Sequence, residues 1–174
     1  SVVAQASPQF LVDSDWLSEN IEDENLVVLE VRYHPHRYHT IGHIPGAVQV
    51  QRFKDLADNQ SLTVTRFPSK EQFQQTLRNW GINNDSTIVI YDDTRTVVAS
   101  RLYVLLKIYG FNMKQVKILN GGTIAWTGFE ELTKDAVTDA PAVTVKSIPE
   151  APVESTKLAV VKIAVSDADV KSET

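Results

Sequence analysis

Cysteine is missing from all 174 residues, which excludes disulfides, zinc–thiolate centres and thiol nucleophiles from this chain. An excess of positive charge is missing as well: 17 Lys and Arg stand against 22 Asp and Glu, for a formal charge of −5. That balance argues against general affinity for nucleic acid phosphates or anionic membranes, and the acids are scattered rather than gathered into a tail. Long apolar runs are lacking too. The longest, residues 102–109 and 158–165, are each interrupted by a lysine and are far shorter than the roughly 18 residues of a membrane span. No Gly-x-Ser-x-Gly elbow is present to support a serine nucleophile.

What is present is enough apolar material for one core, 43% hydrophobic residues with 22% charged, which fits neither disorder nor a coiled coil. Residues 1–9 read as a flexible lead-in. Ala4-Gln5-Ala6 has the small-x-small form of a signal-peptidase site, so export to the periplasm or cell envelope is the expectation, with the cytoplasm as the alternative. Phe10-Leu11-Val12 suggests a short strand. Asp13-Ser14 can cap a helix carrying Trp16, Leu17 and Ile21. Residues 26–31 form a continuous apolar strand suited to a sheet buried on both faces, 32–43 a polar loop, and 47–51 a short strand.

Ser69 followed by Gln72 predicts a capping box, and Phe73, Leu77 and Trp80 recur at helical spacing up to Gly81. Residues 87–91 are β-rich, 92–96 a turn, and Leu102, Leu105, Leu106 and Tyr109 mark a further helix. Residues 115–119 close the set of strands. Strands alternating with helices over short loops predict an α/β domain with a mainly parallel five-stranded sheet covered by helices on both faces. From residue 133 to 157, Pro, Ala, Thr, Val and acid replace the periodic pattern, as in an extended linker. Residues 165–173 then repeat the residue-type pattern of 12–20, so 158–174 read as the start of a second domain of the same kind.

At Glu30-Val31-Arg32, Tyr38-x-x-x-Gly42-His43-Ile44-Pro45-Gly46-Ala47, the strand running into Asp92, Ala99-Ser100-Arg101, and Leu119-Asn120-Gly121-Gly122-x-x-x-Trp126, the sequence resembles the rhodanese (thiosulfate/3-mercaptopyruvate sulfurtransferase) family. The likeness runs in order over residues 10–132, and it is to the non-catalytic first domain of the tandem sulfurtransferases. Most of these residues read as structural. Pro45-Gly46 suits a tight turn, Gly121-Gly122 a sharp strand-to-helix reversal, and Arg32 a loop anchor.

The resemblance implies a cysteine at the end of the fourth main strand, wrapped by backbone N–H groups and facing a helix N-terminus that stabilises anionic sulfur. Here that position is Asp92, which cannot form a persulfide. Asp92, Asp93, Thr94, Arg95, Thr96 and Val97 are then a vestigial active-site loop, with no catalytic residue in this chain. The related phosphatases need a cysteine and an arginine bracketing their loop, where this chain has Asp92 and Val98. His34, His36, His39 and His43 fall within ten residues, but His43 belongs to the family turn and the others decorate a loop, so no metal and no cofactor are expected.

The resemblance further implies that a second rhodanese-like domain, on the same polypeptide or a separate chain, carries the cysteine. His43, Arg95 and Arg101 would line the shared cleft and meet a small sulfur-containing anion. In mercaptopyruvate-using members, the histidine of this turn is assigned proton transfer toward that second domain. The competing expectation is a standalone cysteine-free binding or scaffolding module, whose residues 158–165 could add to a partner as a strand.

Overall fold

A computed structural model describes residues 10–63 and 65–135, so the segments read from sequence as lead-in, most of the linker and second start lie outside the described residues. The described chain runs β1 (Leu11–Val12), α1 (Ser14–Asn20), β2 (Leu26–Val31), α2 (Arg37–Thr40), β3 (Val48–Val50), α3 (Arg52–Asp55), α4 (Lys70–Asn79), β4 (Thr87–Tyr91), α5 (Ala99–Ile108), β5 (Val116–Leu119) and α6 (Gly122–Thr127). Its five strands are all parallel, in the order β1-β5-β4-β2-β3. Every link is therefore a crossover, and all loops that follow strands gather at one end of the sheet.

Two apolar layers follow from strand alternation. Leu29, Val31, Ile88 and Ile90 point to one face, where they pack with Phe73 of α4, Trp80 at its C-terminal end, and Leu102, Leu105 and Leu106 of α5. Val28, Val89 and Tyr91 point to the other, against Leu17 of α1 and Trp126 of α6. A sheet covered on both faces is what the unbroken apolar run of β2 requires.

Three local expectations shift. The loop after β2 contains the helical turn α2, and α3 follows β3 directly; four-residue helices leave no periodic signal to read. Ser69 does cap α4, accepting from the Gln72 N–H at 3.1 Å, but the Gln72 side chain donates to the Ala57 carbonyl instead, so the box is half made. Thr133, read as the first linker residue, is bound to the domain by a two-way bridge with His43, with both N–H···O distances 2.8 Å.

Candidate functional site

The loop after β4 and the start of α5 are organised around one carboxylate. Asp92, 2% exposed, accepts through Oδ1 from the N–H groups of Thr94 (3.0 Å) and Thr96 (2.8 Å). Its Oδ2 accepts from the N–H groups of Val98 and Ala99 and from the Thr94 hydroxyl, each at 3.0 Å. Val98 caps α5 and Ala99 is its first residue, so two of these donors are amides that the helix leaves free at its positive end. The result is an anion cradle of backbone N–H groups, filled by the side chain of the residue at its own entrance. Asp92 therefore satisfies the cradle, a role that its reading as part of a vestigial loop did not include.

Closing the loop this tightly takes unusual backbone. Arg95 and Thr96 adopt φ of 55° and 73°, a left-handed region that costs a β-branched residue about 1–2 kcal/mol. The Thr96 hydroxyl makes no hydrogen bond among the described residues, so Thr96→Gly removes the steric cost while keeping the N–H to Asp92. The variant is expected to gain about 0.5–1 kcal/mol after glycine's entropy cost, read as a higher urea midpoint at unchanged slope.

The Gly-Gly pair holds the other wall. Gly121 and Gly122 both have positive φ, and the Asp92 carbonyl accepts from the Thr123 N–H (3.0 Å) and hydroxyl (3.2 Å), fixing α6 against the loop. Between them lies a pocket of about 240 Å³ lined by Asp92, Asp93, Arg95, Thr96, Asn120, Gly121 and Ile124. Arg95 forms no ion pair among the described residues, and its cation is free to meet an anion there.

Beneath this rim the Gly-His-Ile-Pro-Gly-Ala turn is held by buried charge. Arg32 pairs with Glu30 (Nε–Oε1 3.0 Å) and donates to the Gly42 carbonyl at 2.8 Å, the anchoring role expected of it. The Tyr91 hydroxyl donates to Glu30 at 2.5 Å and accepts from the Ile44 N–H at 3.0 Å. Burial raises the Glu30 carboxyl, opposed by Tyr91 and Arg32, and burial with Glu30 nearby pushes the Tyr91 hydroxyl well up, so it stays a donor. This Glu30–Tyr91 link escaped the sequence reading, because it joins residues 61 apart through neighbouring strands.

His43, expected on the cleft wall, is instead fully buried and stacked on Tyr38, with ring centroids 3.7 Å apart. Its Nδ1 lies 3.1 Å from the Tyr38 carbonyl, which can only accept, so Nδ1 carries the proton. Burial, its largest influence, lowers the imidazole below its ordinary value of 6.5. The unfolded chain then binds a proton that the folded form refuses. Stability from His43 is complete above about pH 6.5 and falls as pH drops toward the folded value, by at most about 1.4 kcal/mol per unit. Urea titrations at about pH 7.5 and 5.5 are expected to show this loss in the wild type and a smaller one in His43→Asn.

Arg101 is held by backbone carbonyls of its own domain. Its guanidinium donates to the Leu56 carbonyl (3.0 and 2.8 Å) and to that of Thr65 (2.9 Å), tying down the segment before α4. Asp93 faces Arg37 at 3.4 Å and Arg32 at 4.0 Å. Of the cleft-lining candidates only Arg95 reaches the pocket, beside Asp92, Asp93 and Thr96 of the loop. Among the described residues no group of three or more His, Cys, Asp or Glu could hold a metal, and no helix is long and apolar enough to cross a membrane.

Comparison with known proteins agrees with this architecture. A family profile described as "Rhodanese-like domain" matches residues 13–128. The sulfur carrier protein TtuD of Thermus thermophilus is 37% identical over 121 residues, covering 70% of this chain and 40% of that protein. The 3-mercaptopyruvate sulfurtransferase of Escherichia coli is 28% identical over 143 residues, covering 78% of this chain and 50% of that one. The crystal structure of SseA from Escherichia coli superposes with a TM-score of 0.65 at 29% identity, covering 74% of this chain and 52% of that chain. The chain thus spans about half the length of the curated relatives it matches, or somewhat less. With its all-parallel five-stranded sheet and a profile match that runs from the cap of α1 through α6, the chain belongs to the rhodanese-like domain family.

Proposed function

We propose that this chain is the catalytically incompetent first domain of a tandem sulfurtransferase whose second rhodanese-like domain carries the persulfide-forming cysteine. The observation that carries the reading is the cradle around Asp92. Donors suited to an anionic sulfur are spent on a carboxylate, which has no sulfur to transfer. Shorter coverage of the relatives than of this chain supports a second half. The exposed apolar residues Val97 and Ile124, each 70% exposed beside the pocket, support docking of that half at this end of the sheet. A small sulfur-containing anion held between the domains would meet Arg95.

The test is the coding sequence beyond residue 174 and the protein it encodes. A second rhodanese-like domain with a cysteine at the place matching Asp92, whose replacement by serine abolishes sulfur transfer, is the expected result. A chain that ends without one would overturn this reading in favour of a cysteine-free binding module.

A further inference from the structure

Arg52 is a partly buried cation without an acceptor among the described residues. It opens α3 at the end of β3, and its guanidinium carbon lies 4.0 Å from the ring centroid of Tyr33 and 4.2 Å from that of Phe53. Its Nε is shut off from solvent and has no hydrogen-bond partner among the described residues, and the remaining guanidinium nitrogens make no hydrogen bond or ion pair there either. Neighbouring acids are committed elsewhere. Asp55 accepts from the Gln51 N–H at 2.8 Å, and Asp93 faces Arg37 and Arg32. Lys54 and the histidines His34 and His36, which share ring contacts next to Tyr33, add no negative charge.

An arginine held flat by aromatic rings has little freedom left to lose on binding, and its unused donors form a planar fork. We propose that Arg52, with Tyr33 and Phe53, forms a binding site for a small carboxylate carrying an apolar or planar body. The fork matches the two coplanar oxygens of a carboxylate. The rings, 47% and 55% exposed, offer apolar surface to the rest of the ligand. A polyanion fits less well, because the protein carries a net charge of −5. The position is the mouth of the sheet where strand-following loops meet: the Tyr33 N–H lies 3.4 Å from Asp93, next to the Asp92 cradle. This site does not depend on whether a second domain supplies the cysteine.

The 174-residue chain can be tested directly by NMR, following the Arg52 Nε–H and the ring protons of Tyr33 and Phe53. Benzoate is the probe, acetate the bare carboxylate, and sodium chloride the ionic control. Saturable shifts of all three groups with benzoate, tighter than with acetate and absent with chloride, are expected. Arg52→Lys keeps the charge but not the fork, and should bind benzoate about tenfold more weakly, the loss of one charge-assisted hydrogen bond. Arg52→Gln should abolish the ring shifts while leaving the backbone amide spectrum in place. Linear shifts shared with chloride, or benzoate-induced ring shifts that persist in Arg52→Gln, would overturn the proposal. The wild-type titration decides even if a variant folds poorly.

Discussion

An Asp92→Cys chain is expected to hold a thiolate at neutral pH and to take a sulfur atom from thiosulfate, neither of which the cysteine-free parent can do. The amides of Thr94, Thr96, Val98 and Ala99 already converge on the side chain at this position, within 2.8–3.0 Å of its oxygens. Oriented N–H groups and the N-terminus of the ten-residue α5 favour an anion. A thiol placed there should titrate below about 7, against its ordinary value of about 8.5. Its attack on the outer sulfur of thiosulfate forms a cysteine persulfide and breaks the sulfur–sulfur bond, with sulfite leaving on the electron pair. Alkylation rate against pH gives the thiol pKa, and intact mass gives the addition of one sulfur. A thiol titrating at or above its ordinary value, with no adduct, would mean that the cradle does not stabilise anions.

Gly122→Ala is expected to be the most damaging single methyl in the domain. A Cβ there would lie 2.2 Å from the Asp92 carbonyl oxygen, at a φ of +53° that side chains avoid. That carbonyl cannot retreat freely, because it holds the Thr123 N–H and hydroxyl while its own side chain is fixed by the cradle. Relief requires moving α6 and with it Trp126, which is fully buried in the second apolar layer. A loss of about 3 kcal/mol or more follows, through strain and broken packing together. Gly46 is the control. Its φ of +74° is just as left-handed, but nothing lies within 4 Å of an added Cβ, so Gly46→Ala should cost only about 1–2 kcal/mol. Urea midpoints of the two variants separate close approach from backbone preference, and equal losses would contradict the tight contact at Gly122.

The strands and long helices were legible because burial on two faces leaves a direct trace. The run 26–31 became β2 without adjustment, and Asp13 and Ser69 cap the helices they precede. The turn and the Gly-Gly reversal were readable for a similar reason, since both need backbone that few residues adopt. What stayed hidden depends on three-dimensional neighbours. His43 was placed on a cleft wall by the family resemblance alone, yet its ring stacks on Tyr38 and its backbone bridges Thr133, a contact between distant segments.

Arg101 was similarly invisible as an anchor, because its acceptors are backbone carbonyls at residues 56 and 65 that any side chains could carry. Asp92 is the most instructive case. In sequence it marks only the absence of a thiol. Whether its carboxylate faces out or in is set by positive φ at Arg95 and Thr96, and neither residue type announces such a conformation.

The claim that Asp92 fills the place of the nucleophile is tested most directly by thiocyanate formation. The purified wild-type chain of 174 residues is mixed with cyanide and either thiosulfate or 3-mercaptopyruvate, and thiocyanate is followed over time. The result expected is a rate indistinguishable from the protein-free reaction with both donors; sustained turnover by this chain alone, with either one, would contradict it.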